Sequence, residues 1–158
     1  MREAINENIV ETEQVNETKQ EEPSEAPKLP RLTIHQNEPI IDRKSIFQAF
    51  YVDINTAAQA EQFRQQLLEN NKIQAATHNM FVWKVNDGGI IKSDSDEDGE
   101  SGAGSRMMHL VDLTGACDFG CIVTRWYGGV HLGPDRWKHI NNSLRSILDE
   151  HGQIKRKK

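Results

Sequence analysis

His78, Asp98, Glu100, His109 and Arg125 are the residues of this chain whose types could do acid–base chemistry. Gathered into one pocket, a histidine would take or deliver the proton while the carboxylates oriented it or held a metal. Their spacing does not compel that arrangement. No His-Glu-x-x-His pair occurs, neither cysteine has a catalytic context, and no serine sits in a nucleophile elbow. The plainer alternative makes His78 a hydrogen-bonded strand residue and lets Asp98-Gly99-Glu100 cap the following helix or pair with Arg125 across the fold. The expectation is therefore that the chain is not an enzyme, with no catalytic residue, no cofactor and no metal ligand.

A second stretch, Thr124 to Arg136, carries anion chemistry in principle. Cys121-Ile122-Val123 leads in as a β-branched run, Gly128-Gly129 permits backbone angles closed to other residues, and Gly133-Pro134 opens a helix. Strand, glycine loop and helix N-terminus together could cradle an anion, with Arg125, Gly128, Gly129 and Gly133 as the candidate anion or RNA contacts and Arg136 adding charge. No Gly-Lys-Ser/Thr follows, and the Gly-x-Gly-x-x-Gly spacing is absent. The competing reading is a tight turn packed with aromatic side chains.

Taken as whole strings, Arg125-Trp126-Tyr127-Gly128-Gly129 and Leu132-Gly133-Pro134-Asp135-Arg136-Trp137-Lys138-His139-Ile140-Asn141-Asn142 closely resemble the Impact family. The resemblance continues upstream in Ser45-Ile46-Phe47-Gln48-Ala49, in Ala76-Thr77-His78-Asn79, and in Asp96-Glu97-Asp98-Gly99-Glu100 followed by Gly102-Ala103-Gly104-Ser105. It covers roughly residues 43 to 150, in the family's order.

The elements that must position these residues follow from the rest of the chain. Its 158 residues suit a single domain. Apolar content is low at 36%, partly because Glu3, Glu7, Glu11, Glu13, Glu17, Glu21, Glu22 and Glu25 fill a beginning almost without aromatics. Residues 1–40 read as a disordered acidic arm, 41–152 as the folded domain and 153–158 as a basic tail. The net charge of −5 speaks against a dedicated nucleic-acid binder. No basic-then-apolar leader and no long apolar run occur, so neither secretion nor a membrane is expected, and the location expected is cytoplasmic. Cys117 and Cys121 lack a second ligand pair for zinc and read as small buried or half-buried residues in a reducing compartment.

Ser45 to Asp53 has strand composition, and Asn55 or Thr56 caps a helix with Ala60, Phe63 and Leu67 at helical spacing. Met80 to Val85 reads as a second strand, Gly88-Gly89 as a break, Ile90-Ile91-Lys92 as a third short strand, and the acidic segment after it as a loop. Ser105 caps a short helix bearing Met108 and Val111 that ends near Gly115, and Phe119 to Thr124 is the central strand. Trp137, Ile140, Leu144, Ile147 and Leu148 form the buried stripe of a last helix. The order β-α-β-β-α-β-α gives an α+β class, a four-stranded mixed sheet with helices on one face.

The Impact resemblance implies the same class, with a fold similar to domain IV of elongation factor G. It also implies translational control: proteins of this family compete for a ribosome-associated general-control scaffold protein and so restrain the kinase that phosphorylates initiation factor 2 alpha in amino-acid starvation. Some bind monomeric actin. Eukaryotic members typically carry a further N-terminal domain, in whose place the acidic arm stands here. The expected partner-binding residues are Tyr127, Arg136, Lys138, His139, Asn142 and Arg145, because aromatic and Arg side chains anchor interfaces. Trp126 and Trp137 read as core. A module that binds the ribosome or RNA through the glycine loop, Arg125 and the basic tail is the alternative.

Overall fold

The computed structural model describes residues 30–154, and most of the acidic arm and the last four residues of the basic tail lie outside that range. The elements are β1 (His35–Gln36), β2 (Ile40–Asp42), β3 (Ser45–Asp53), α1 (Ala57–Leu67), α2 (Asn71–Gln74), β4 (His78–Asp87), β5 (Ile90–Asp96), α3 (Ala103–Thr114), β6 (Phe119–Trp126) and α4 (Asp135–Glu150). The folded part begins before residue 41: β1 and β2 both pair with β3, and Leu32 and Ile34 pack on the core. It runs past residue 152 as well, since Ile154 packs against the core.

The α+β class holds, but the sheet differs from the expected one in three ways. Among the described residues it has six strands rather than four, in the order β1-β3-β6-β4-β5 with β2 also on β3. Every pairing is antiparallel rather than mixed. β6 inserts between β3 and β4, so those two run the same way without pairing with each other.

Helices cover both faces rather than one. Phe47, Ala49 and Tyr51 of β3 face α3 and α4, in a cluster with Met107, Leu110, Ile140 and Leu144. Phe50 and Val52 face α1 and α2, with Phe63, Leu67 and Ile73. Side chains alternate across a strand, so a strand apolar at both parities must be buried on both sides. Phe63, wholly buried, contributes about 1.5–3 kcal/mol to that second layer.

Local chemistry sets the helix ends. Thr56 Oγ1 accepts from the Gln59 amide (3.2 Å) while Gln59 Oε1 accepts from the Thr56 amide (3.2 Å), a reciprocal cap that starts α1. α3 starts at Ala103, ahead of Ser105, and its first amides are held by Glu97, whose Oε1 accepts from Gly102 and Gly104 at 2.8 and 3.1 Å. Gly115 ends it in a left-handed conformation at φ 78°. On its other side Met107, Leu110 and Val111 are buried, whereas Met108 is only half-buried. Part of the acidic segment expected as a loop is strand, because Asp94 to Asp96 complete β5.

Candidate functional site

Four segments meet where β6 ends: the loop 97–102, the β2–β3 turn, the glycine loop after Trp126, and the start of α4. At their centre lies Glu100, 6% exposed. Arg125 Nη1 donates to its Oε2 at 2.9 Å, and Arg125 is itself buried at 6%. Arg136 Nε stands 3.4 Å from Oε1, and His78 Nε2 stands 3.9 Å from Oε2. His78 Nδ1 donates to the Asp98 carbonyl (2.8 Å), which fixes the ring's orientation. A buried guanidinium needs a buried counter-charge, and Glu100 is that charge.

Of the five residues with acid–base potential, the fold therefore brings His78, Asp98, Glu100 and Arg125 together, while His109 is exposed on α3. The Asp98-Gly99-Glu100 segment pairs with Arg125 across the fold, through Glu100. Arg125 also lies over the rings of Phe47 (5.2 Å) and Tyr127 (5.6 Å). It is not offered to an outside anion. Gly128 is committed too, its amide donating to Ser45 Oγ (3.1 Å). Gly129 (φ 92°) and Gly133 (φ 57°) supply the left-handed angles of the turn.

The β2–β3 turn grips the start of α4. Arg43 donates to Asp42 Oδ2 (2.9 Å) and to Asp135 Oδ2 (2.5 Å), and His139 Nε2 lies 2.8 Å from Asp42 Oδ2. Hydrogen bonds from Arg43 and then His139 hold the Asp42 carboxyl down at about 2. The Arg43 bond likewise keeps the Asp135 carboxyl below its ordinary value. His139, expected as a contact residue, is thus tied inward. Arg136 is half tied, stacked on Trp137 at 4.6 Å beside Glu100. Tyr127, Lys138, Asn142 and Arg145 remain exposed.

Trp126 and Trp137 are half-buried and pack on the two core clusters, as core residues would. Cys121 is buried and Cys117 half-buried, both as free thiols, and burial pushes the Cys121 thiol up. Sequence reasoning did not single out Arg43, Asp42 or Glu97. Arg43 and Asp42 act on the start of α4, more than ninety residues on, and Glu97 acts on the start of α3 five to seven residues on, without the cap spacing that would mark it.

The chain's similarities agree with this architecture. The family model described as the Impact N-terminal domain matches residues 43–148. Protein IMPACT of Oryctolagus cuniculus is 41% identical over 132 residues, which are 82% of this chain and 41% of that protein. The Protein IMPACT homolog of Schizosaccharomyces pombe is 38% identical over 141 residues, 81% of this chain and 50% of that protein. Among solved structures, the two-domain translational regulator Yih1 is 36% identical, with a TM-score of 0.55, over 84% of this chain and 54% of that chain. This chain thus spans about half or less of the length of these relatives.

Proposed function

This chain belongs to the Impact N-terminal domain family, and from that premise we propose that it regulates translation in the cytoplasm by binding a protein partner rather than by catalysis. The observation that carries the reading is its 36% identity, over 84% of its length, to the translational regulator Yih1. Within that reading the partner is the ribosome-associated general-control scaffold protein, and its capture restrains the kinase acting on initiation factor 2 alpha in amino-acid starvation. Monomeric actin is a second partner.

The contact surface is the exposed side of α4 with the glycine loop: Tyr127, Lys138, Asn142 and Arg145, with Arg136 at its edge. Two properties support this choice. These side chains are accessible or partly so, and a salt-bridged, buried base of Arg125 and Glu100 fixes the loop that carries Tyr127. RNA binding through Arg125 is the weaker reading, because that guanidinium is already paired.

The test is co-sedimentation of the tagged protein with ribosomes and polysomes from starved and fed cells, with co-purifying proteins identified at low and moderate salt. Recovery of the scaffold protein or actin supports the proposal. Association with RNA alone that falls steeply with salt would transfer the assignment to a nucleic-acid module.

A further inference from the structure

Among the described residues, the last strand of the sheet, β5, has no neighbour beyond it and pairs only with β4. Its residues are exposed throughout, apart from a half-buried Ser95. Such an edge is a template for another strand unless its side chains forbid the pairing. Here they select the partner instead.

Register places Phe81 opposite Asp96, Trp83 opposite Asp94, Val85 opposite Lys92 and Asp87 opposite Ile90. Phe81 and Val85 belong to the core shared with α1, so Ile90, Lys92, Asp94 and Asp96 share that face of the edge. Beside them runs a groove of about 350 Å³, between β5 and Glu61 and Arg64 of α1, with Phe81 and Trp83 among its lining residues. Ile90 is 63% exposed at the far end of the strand.

The charge of this edge is unbalanced. Lys92 pairs with Asp87 (3.3 Å), and Arg64 pairs with Glu61 (2.9 Å). Asp94, Asp96, Glu97 and Asp98 have no cationic partner among the described residues. No group of three His, Cys, Asp or Glu there is placed to hold a metal ion, which leaves organic cations as the complement. Carboxylates in a groove also lined by Trp83 suit an arginine or lysine side chain.

We propose that β5 is a strand-addition site for an extended, basic segment of a partner protein. Main-chain hydrogen bonds to the edge supply affinity, the Ser95 amide excepted because it already donates to Asp94 Oδ1 (2.8 Å), while Arg or Lys at alternate positions meets Asp94 and Asp96, and an apolar residue covers Ile90. Acidic or neutral apolar strands are refused by the same carboxylates. This site lies on the face opposite α4 and is independent of the reading above.

The probe is a short labelled peptide alternating valine and arginine, titrated against the full chain by fluorescence anisotropy, with amide shifts of residues 90–96 followed by NMR. Saturable binding that shifts those amides is expected, weakened about tenfold by Asp94→Asn with Asp96→Asn. Both substitutions are at exposed positions, and circular dichroism checks the fold of the variant. Binding is also expected to vanish for a peptide with glutamate in place of arginine and for one N-methylated along its pairing edge. Equal binding of the N-methylated peptide, equal binding by the double variant, or no binding at all overturns the proposal. Binding seen only after Lys155, Arg156, Lys157 and Lys158 are all changed to Gln assigns the edge to the chain's own tail and overturns it as well.

Discussion

Gly128 rests directly on the backbone of Lys44: a Cβ at position 128 would lie 2.2 Å from the Lys44 carbonyl carbon. Arg43 and Lys44 both have positive φ, 45° and 72°, in the two-residue turn joining β2 to β3. That geometry matches the sheet's twist but ordinarily favours Asn and Gly. The turn is held in it from outside, by Gly128 packed against it and by Asp135 bonded to Arg43.

Changing Gly128 to Ala should therefore cost about 2–3 kcal/mol of stability, from overlap with backbone that cannot rotate away. Urea denaturation of the two proteins checks this. A loss below about 0.5 kcal/mol would mean that the turn yields freely.

The Arg125–Glu100 pair gives a second expectation. Glu100→Leu strands a buried guanidinium and should cost about 3–5 kcal/mol, whereas Glu100→Leu combined with Arg125→Leu should cost less than the single change. Denaturation midpoints of the two single variants and the double variant close the cycle. Simple additivity would show that the two groups do not depend on each other.

Acid sensitivity follows from Asp42. Its carboxyl sits at about 2 in the fold against an ordinary 3.8, so folding favours the ionised form. The resulting stability is complete above the ordinary value and is lost as pH falls toward 2. Asp135 and Asp87 are held low as well, the latter chiefly by the Ala57 amide and then Lys92, and they act in the same direction. Asp42→Asn should lower stability at neutral pH and flatten its decline between pH 4 and pH 2, as read from thermal melts. An unchanged slope would remove Asp42 from the acid response.

For partner capture, Lys138→Glu with Arg145→Glu should weaken binding about tenfold while leaving the melting temperature in place, since both side chains are exposed. Pull-down of the scaffold protein or actin reads the effect, and undiminished capture would take the surface of α4 out of the contact. Arg136→Glu is the poorer probe, because it sets a second carboxylate beside Glu100.

Much of this architecture is legible in the amino-acid order. The run Phe119 to Thr124 announces a buried strand, Asn55 or Thr56 announces a helix start, and Ile140, Leu144 and Ile147 fix the inner stripe of α4. The two-sided burial of the sheet was present in Phe47-Gln48-Ala49-Phe50-Tyr51-Val52, where both parities carry apolar groups. β1 and β2 escape such reading because two or three residues have no period. They are defined by what they pair with and by Asn37 between them, whose side chain accepts from the Ala49 amide (3.0 Å) and donates to the Ser143 carbonyl (3.1 Å). Within the candidate site, Arg125 as an anion contact was plausible by type alone. Only the approach of Glu100 reveals that its charge is already matched.

The insertion of β6 between β3 and β4 governs the order in which the domain can assemble. β3 and β4 leave the ribosome before β6 and have no ladder of their own, since the strand that unites them supplies partners as distant as Trp126 for Ile46. Closing so long a loop precedes any gain from the pairing, which places folding in the slower range set by non-local contacts. Until Phe119 to Trp126 has been synthesised, both flanking strands expose the edges that it will fill, and a nascent chain is open there to pairing with its neighbours.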